Sequence, residues 1–298
     1  MEYRDLGSSS LKVSAIGFGC MSLKQSEKEN ILLLQSAVDA GINFFDTADL
    51  YDKGDNEKVV GKALKEKRKQ LIIATKVGNQ WRDDGSGWDW NPRKEYILKA
   101  VEESLKRLQT DYIDLYQLHG GTIEDPIEET IEAFEILKTQ GKILFYGISS
   151  IRPNVIREYI DRSNITSILM QYSLLDRRPE EACVSLITQN KIGLLSRGAL
   201  AQGILAGKPA KDYLYISKEK VEEIAALVNS LSNKDRSPAQ TAIRFILQQP
   251  GLSSAIIGIR TREQLDEVVQ TLQTPELTAE ELTQLKKIAP AGKYEQHR

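Results

Sequence analysis

The sequence has few cysteines, little net charge and no long apolar run. Only Cys20 and Cys183 occur among 298 residues, so no disulfide framework is expected, nor a bridge between these two. A net charge of −2 gives no reason to expect nucleic acid or an anionic membrane as a partner. No segment approaches the ~20 apolar residues of a membrane span, and the N-terminal residues lack the apolar core of a signal peptide. We therefore expect a cytoplasmic protein.

The overall composition is that of a globular domain, with 28% charged and 41% hydrophobic residues. No low-complexity segment or linker divides the chain. Its length would allow two domains, but α/β barrels routinely use this much chain as one. We therefore expect residues 1–298 to form a single domain.

Short apolar runs recur along the chain, and an amphipathic stretch follows each of them. Runs of this length are typical of buried parallel strands. The predicted strands are residues 15–18, 43–45, 71–75, 113–118, 143–148, 167–170, 192–195 and 254–257. The predicted helices are residues 27–40, 57–66, 92–108, 127–140, 153–162, 179–189, 238–248 and 262–272. Eight strand–helix repeats predict an α/β fold, the (β/α)8 TIM barrel.

Several segments lie outside this eightfold repeat. Residues 2–6 and 11–14 predict an N-terminal β-hairpin that plugs the bottom of the barrel. Residues 218–231 and 279–288 predict extra helices in the C-terminal part of the chain. Two long connections, 78–91 and 197–217, follow strand C-terminal ends, where barrels of this type carry their chemistry, and we expect them to be functional.

Four titratable residues follow consecutive apolar runs in the first 120 residues: Asp46, Tyr51, Lys76 and His119. Each has an ordinary explanation when taken alone, since a lysine at a strand end is usually solvated and an aspartate often caps a helix. Their joint occurrence at the ends of the second, third and fourth predicted strands favours one shared site.

These four side chains form a proton-delivery set. Tyrosine, with a pKa of ~10, is a weak acid at neutral pH, and a nearby ammonium lowers that pKa. We therefore predict Tyr51 as general acid, Lys76 as its activator and Asp46 as the anchor of Lys76. His119 would polarise the same substrate oxygen. None of them supplies a hydride, so a nicotinamide cofactor is expected.

The sequence resembles the aldo-keto reductase superfamily. The resemblance rests on Asp46-Thr47-Ala48 with Tyr51, on Ala74-Thr75-Lys76 and on Leu118-His119, and it extends from Gly17 to Gly258. It is closest to a bacterial branch that also resembles the potassium-channel β-subunits. The resemblance implies a barrel that binds NADP(H) in an extended pose across its top, and an enzyme that reduces small aldehydes or ketones to alcohols. We expect no metal.

The resemblance also implies a cofactor site, assigned position by position. Ser149, Ser150 and Gln171 match the residues that bind the carboxamide, although asparagine is usual at position 150. Arg197 stands where many relatives have an aromatic residue that stacks on nicotinamide. The remaining predicted cofactor residues are Gly19, Cys20 and Met21 near the nicotinamide, Gly198, Leu200, Gln202 and Lys208 around the pyrophosphate, and Gly258, Arg260, Gln264 and Glu267 at the adenosine phosphate.

The loop after Lys76 contains all three tryptophans, Trp81, Trp88 and Trp90. Aromatic side chains over the mouth of a site would bury an apolar substrate surface. The alternative is that they fold this loop onto the barrel. We predict Trp81, together with Tyr51 and His119, in the substrate pocket.

Two other functions are compatible with parts of this pattern. A regulatory or redox-sensing subunit would use the NADP(H) site with little turnover. A barrel lyase or aldolase would use Lys76 to form a Schiff base, which sodium borohydride would trap without any cofactor. The complete set of four proton-handling residues favours the reductase.

Overall fold

A computed structural model describes all 298 residues, and its centre is a closed barrel of eight parallel strands. The strands in chain order are β1 (Tyr3–Asp5), β2 (Lys12–Ser14), β3 (Ile16–Gly19), β4 (Phe44–Asp46), β5 (Ile72–Val77), β6 (Asn79–Trp81), β7 (Trp88–Trp90), β8 (Ile113–Leu118), β9 (Ile143–Ser149), β10 (Ser167–Gln171), β11 (Gly193–Arg197) and β12 (Leu252–Gly258). The barrel order is β3-β4-β5-β8-β9-β10-β11-β12, and β12 pairs with β3 to close it. The predicted barrel is confirmed.

Ten α-helices surround the barrel. They are α1 (Glu27–Asp39), α2 (Asp55–Leu64), α3 (Lys94–Leu108), α4 (Ile127–Thr139), α5 (Pro153–Arg162), α6 (Cys183–Gln189), α7 (Lys218–Ser230), α8 (Pro238–Leu247), α9 (Arg262–Gln270) and α10 (Ala279–Ile288). None is long and apolar enough to cross a membrane. The sixth predicted helix was too long: Arg178–Glu181 is a 3-10 turn, and the extended φ of −146° at Ala182 separates it from α6.

Side chains alternate between the inside and the outside of the barrel, as the pleat of each strand requires. The inward residues of the lower and middle part form one apolar cluster, which includes Phe44, Ile72, Leu115, Leu169, Leu195 and Ile256. Further along β4, β5 and β8, two residues after Phe44 and Leu115 and four after Ile72, the same inward positions carry Asp46, Lys76 and Gln117. The polar site is therefore the uppermost interior layer of an apolar barrel.

The N-terminal hairpin closes the bottom of the barrel, as predicted. Its strands β1 and β2 pair antiparallel, and Leu6, Leu11 and Val13 belong to the apolar cluster of the barrel interior. Leu6 is completely buried and packs so closely on Gly193 that a Cβ there would lie 2.6 Å from its Cδ1 atom. Glycine at the start of β11 therefore makes room for the plug.

The connection 78–91 forms a second hairpin. Its strands β6 and β7 pair antiparallel, with Trp81 opposite Trp88 and Asn79 opposite Trp90. The connection 197–217 contains a 3-10 segment, Ala201–Ala206, in which Gln202 and Gly203 have positive φ. Both connections follow the C-terminal ends of barrel strands.

Candidate active site

Asp46 and Lys76 form a buried ion pair at the C-terminal end of the barrel. The Lys76 Nζ atom lies 2.7 Å from Asp46 Oδ2 and donates to the Thr47 carbonyl oxygen at 2.6 Å. Lys76 is 1% exposed and Asp46 is 5% exposed, so water cannot take over these bonds. Burial opposes the ammonium, but Asp46 and Tyr51 outweigh it and raise the pKa of Lys76. The lysine is therefore a fixed cation.

A strained turn brings Tyr51 to this ion pair. Tyr51–Gly54 forms a 3-10 turn in which Asp52, Lys53 and Gly54 all have positive φ, at 49°, 56° and 89°. Lys76 Nζ donates a hydrogen bond of 3.4 Å to the Tyr51 hydroxyl. Backbone strain of this kind persists only where the surroundings impose it, and here it orients the tyrosine over Lys76.

The sequence-based expectation for the pKa of Tyr51 was wrong in its net direction. Burial raises the pKa of Tyr51, and the nearby Lys76 only offsets part of this effect. Burial disfavours tyrosinate because water no longer solvates the anion. The hydroxyl of Tyr51 is consequently protonated at neutral pH, as a proton donor must be.

His119 completes the predicted group of four. Its ring lies edge-on to the Tyr51 ring, with centroids 5.8 Å apart. Burial, together with Lys76 and Arg197, lowers the pKa of His119 to about 3. The imidazole is therefore neutral. Its Nδ1 atom is buried and has no partner within the protein, and a buried polar atom normally has one.

Two residues at the start of α2, which the sequence did not single out, hold the strand ends together. Asn56 accepts a hydrogen bond from the Thr47 hydroxyl at 2.7 Å and donates to the Cys20 carbonyl oxygen at 2.9 Å. Glu57 is completely buried. It accepts from the Thr75 hydroxyl and from Arg107 Nε, both at 2.6 Å. These bonds hold Thr47, which follows Asp46, and Thr75, which precedes Lys76.

Gln117 is a third polar residue that sequence reasoning missed. It is completely buried and its Nε2 atom lies 3.4 Å from Asp46 Oδ1, the oxygen that does not face Lys76. A period-2 pattern in β8 was the available signal, because Gln117 lies two residues before His119 and shares its face.

The side chains assigned to the nicotinamide meet at the ends of β9, β10 and β11. Arg197 Nη1 donates to Gln171 Oε1 at 3.2 Å, and Gln171 Nε2 donates to the Tyr213 hydroxyl at 3.3 Å. Ser149 is half-buried at the end of β9. The neighbouring Ser150 is buried, and its hydroxyl accepts from the backbone N–H of Arg152. Amide, hydroxyl and guanidinium groups suit a carboxamide and a phosphate, so the donor set fits the expected cofactor.

The segment after β11 brings the predicted pyrophosphate residues close together. Gly198 has a φ of 77° and its position lies against Gln171. Leu200 ends the turn that leads into the 3-10 segment, and the exposed Gln202 accepts from Lys211 Nζ at 2.8 Å. Lys208 folds back over Gly203, where a Cβ would lie 2.8 Å from its Cδ atom. The exposed ammonium of Lys208 and these glycines suit an anion.

The predicted adenosine end lies between α1 and the start of α9. Arg260 is exposed and its side chain makes no ion pair, whereas the competing Arg262 pairs with Asp266 at 2.9 Å. Both arginines line a cavity of about 220 Å³ beside α1. Gln264 is turned back to the Arg260 backbone N–H, and Glu267 accepts from Ser237 Oγ at 2.6 Å. Glu267 is thus bonded to the N-cap residue of α8 in this structure.

The structure separates the remaining predicted cofactor residues by their exposure. Gly19 and Gly258 are paired across β3 and β12, so no side chain covers the site there. The Cys20 side chain is completely buried and points to the Phe18 carbonyl oxygen. Met21 is 63% exposed. Of these residues, Met21 has the side chain most available to a ligand.

The three tryptophans have different environments. Trp81 Nε1 donates to the Leu50 carbonyl oxygen at 3.3 Å, and Lys53 lies over its ring at 5.1 Å. Trp90 Nε1 donates to the Asp125 carboxylate, and Trp88 is 47% exposed. Trp81 therefore lies against the segment that carries Tyr51, while Trp90 joins the hairpin to the loop after β8.

The geometry argues against the Schiff-base alternative and offers no metal site. A Schiff-base lysine needs a lowered pKa, because only the neutral amine is nucleophilic, but Asp46 keeps Lys76 protonated. No group of three or more histidine, cysteine, aspartate or glutamate side chains is arranged to hold a metal ion.

Comparison with known proteins identifies the family. A sequence model described as "Aldo/keto reductase family" matches residues 15–290. The chain belongs to the aldo/keto reductase family. It is 47% identical to the "Uncharacterized oxidoreductase YqkF" of Bacillus subtilis (strain 168), with 100% of both chains covered.

Solved structures agree with this assignment. The aldo-keto reductase AKR11C1 from Bacillus halodurans, in its holo form, is 48% identical and has a TM-score of 0.94, covering 100% of this chain and 99% of that one. Its apo form, aligned with 46% identity over the same shares of the chains, gives a TM-score of 0.85. Members of this aldo/keto reductase family with the fold described above are oxidoreductases, and this chain is one of them.

Proposed function

We propose that residues 1–298 act as one domain that reduces small aldehydes or ketones to alcohols with NADPH. The observation that carries this proposal is the contact of the Tyr51 hydroxyl with Lys76, which Asp46 in turn holds at 2.7 Å. A phenol beside a buried, permanently charged ammonium can give up its proton to a developing alkoxide. The higher TM-score with the holo form than with the apo form of AKR11C1 supports a cofactor-binding arrangement in this chain.

In the proposed reaction, bound NADPH supplies the hydride. Tyr51 delivers the proton to the carbonyl oxygen, and Lys76 stabilises the tyrosinate that remains. His119 is neutral, so it donates a hydrogen bond to the same oxygen without protonating it. Gln171, with Arg197 beside it, would bind the carboxamide and so orient the nicotinamide ring toward Tyr51.

Steady-state oxidation of NADPH with a panel of small aldehydes and ketones tests this function. We expect turnover in the ordinary range of enzymes, roughly 1–10³ s⁻¹, with the best substrates. Tight NADPH binding without turnover of any carbonyl would instead favour the regulatory or redox-sensing subunit. Absence of NADPH binding would reject the cofactor assignment itself.

The pH profile of reduction should lack the inflection that an active-site histidine usually produces. Histidine ordinarily titrates between about pH 5 and 8, but the pKa of His119 is lowered to about 3 and that of Tyr51 is raised. The protonation states of both groups are therefore constant across this window, so kcat/KM should not change there. In the alkaline range Tyr51 loses its proton, and kcat/KM should fall. A neutral inflection that disappears in His119→Asn would contradict this assignment.

Arg260 should discriminate NADPH from NADH. The 2′-phosphate is a dianion, and a guanidinium offers it two hydrogen bonds. Arg260→Ala should weaken NADPH binding by about 1.5–3 kcal/mol and leave NADH binding almost unchanged. Arg262→Ala is the matched control, because that side chain is also exposed but is paired with Asp266. Fluorescence titration of both cofactors decides it; equal losses for both would show that Arg260 does not bind the phosphate.

A further inference from the structure

Tyr215 lies at the tip of a tight turn in the segment that follows β11. The turn is closed by two backbone hydrogen bonds of 2.9 Å between Tyr213 and Ile216. Leu214, inside the turn, has a φ of 55°. Because the turn is short and doubly bonded, Tyr213 and Tyr215 move together.

The Tyr215 side chain is bonded to the segment that follows α10. Its hydroxyl donates to the Pro290 carbonyl oxygen at 3.3 Å and accepts from the Gly292 backbone N–H at 3.2 Å. A Cβ on Gly292 would lie 2.2 Å from the ring of Tyr215. The ring therefore lies directly on a backbone that only glycine can present at this distance.

Arg178, in the connection after β10, packs against the rings of Tyr215 and Tyr294. Arg178 lies 5.7 Å from the ring centroid of Tyr215 and 4.8 Å from that of Tyr294. The completely buried Asp176 holds the Arg178 guanidinium through two hydrogen bonds of 2.8 Å. The adjacent Arg177 donates to the carbonyl oxygens of Lys286 and Ala289. Residues 176–178 thus contact both the turn that carries Tyr215 and the segment that follows α10.

The other tyrosine of the turn reaches the proposed nicotinamide site. The Tyr213 hydroxyl accepts a hydrogen bond from Gln171, whose carbonyl oxygen accepts from Arg197. Tyr213 is 5% exposed, in contrast to the 42% exposed Tyr215. The position of the turn consequently determines where the amide of Gln171 points.

We propose that Tyr215 is a positioning residue that controls the release of the nicotinamide dinucleotide. Its bonds to residues 290–292 hold the turn of residues 213–216 in place, with Tyr213 on Gln171. Displacing this turn, and Tyr213 with it, requires the two Tyr215 hydrogen bonds to break first. This inference rests on the proposed cofactor function, and it assigns to the 290–294 tail the role of a latch.

Stopped-flow measurement of NADPH release tests the latch in the full-length protein. Tyr215→Ala should raise the dissociation rate about tenfold, because two hydrogen bonds and a cation–π contact disappear. Tyr215→Phe keeps the ring and should give a smaller rise of a few-fold. Gly292→Val removes the same contact from the other side and should resemble Tyr215→Ala. The double variant should release NADPH no faster than either single variant.

Two further measurements separate positioning from general damage. Tyr3 lies in the N-terminal hairpin at the opposite end of the barrel, is similarly exposed at 49%, and donates its hydroxyl hydrogen to the Gly41 carbonyl oxygen. Tyr3→Ala should therefore leave NADPH release unchanged. The Kd for NADPH should rise in the Tyr215 variants by the same factor as the dissociation rate, because the Tyr215 hydrogen bonds act on release and not on association.

The proposal is overturned if Tyr215→Ala and Gly292→Val leave NADPH release unchanged, or if the Kd for NADPH rises through slower association instead of faster release. Should Tyr215→Ala fail to fold, the rate for Tyr215→Phe decides by itself. If the wild-type protein does not bind NADPH at all, the proposed function fails, and that result is distinct from an unaltered release rate.

Discussion

Tyr51→Phe should bind NADPH as tightly as the wild-type protein and lose most of its turnover. The substitution removes only the hydroxyl, so the ring still packs against His119 and the strained turn keeps its shape. Loss of a positioned general acid lowers rates by about 10²–10⁴-fold. Because the missing proton is needed only in the transition state, kcat should fall while KM changes little.

Tyr159→Phe is a suitable control for this experiment. Tyr159 is 1% exposed and its hydroxyl is buried without a partner, but it lies on α5, on the outside of the barrel. Its loss should leave turnover within a few-fold of wild type. If Tyr51→Phe did the same, the proton would have to come from another group, and the assignment of Tyr51 would be wrong.

Lys76→Met should lower both turnover and the free energy of unfolding. The substitution leaves the Asp46 carboxylate buried, with Gln117 as its one remaining side-chain partner, at 3.4 Å. Breaking a buried ion pair from one side costs about 3–5 kcal/mol, because the remaining charge is uncompensated. Tyrosinate also loses its stabilising cation, so the acid strength of Tyr51 should decrease.

Combining Lys76→Met with Asp46→Asn separates these two effects. The double variant contains no unpaired charge, so urea unfolding should recover most of the lost stability. Turnover should remain as low as in Lys76→Met, because no ammonium faces Tyr51. Recovery of turnover along with stability would mean that Lys76 supports only the fold.

The barrel could be predicted because its signals are local and repeat eight times. Every predicted strand is present, and the boundaries differ only by small shifts. The sixth helix was overestimated because Pro179 at a first-turn position is equally compatible with a 3-10 turn, which is what forms there. The pairing within connection 78–91 was missed because nothing in a single sequence specifies how two three-residue strands pair.

The positions of the candidate site residues could be predicted where strand order determines them. The pKa shifts could not be predicted, because they depend on how deeply each side chain is buried. Asp46, Lys76 and His119 come together because they end neighbouring strands. The net pKa shift of Tyr51 was wrong, since the sequence does not show how completely water is excluded around it. Tyr213 and Tyr215 carry no sequence signal either, because their roles depend on the meeting of two loops and a tail.

The closure of the barrel between β12 and β3 has a consequence for how the protein matures. The proton-handling side chains come from residues 46–119, whereas most of those assigned to the cofactor come from residues 149–267. The ring of strand ends that carries both groups is complete only when Ala255 pairs with Ile16 at the seam. Neither half of the chain therefore contains both the proton-handling residues and most of the residues assigned to the cofactor. The proposed carbonyl reduction therefore requires the complete chain, and it can begin during synthesis only once the last strand has paired at the seam.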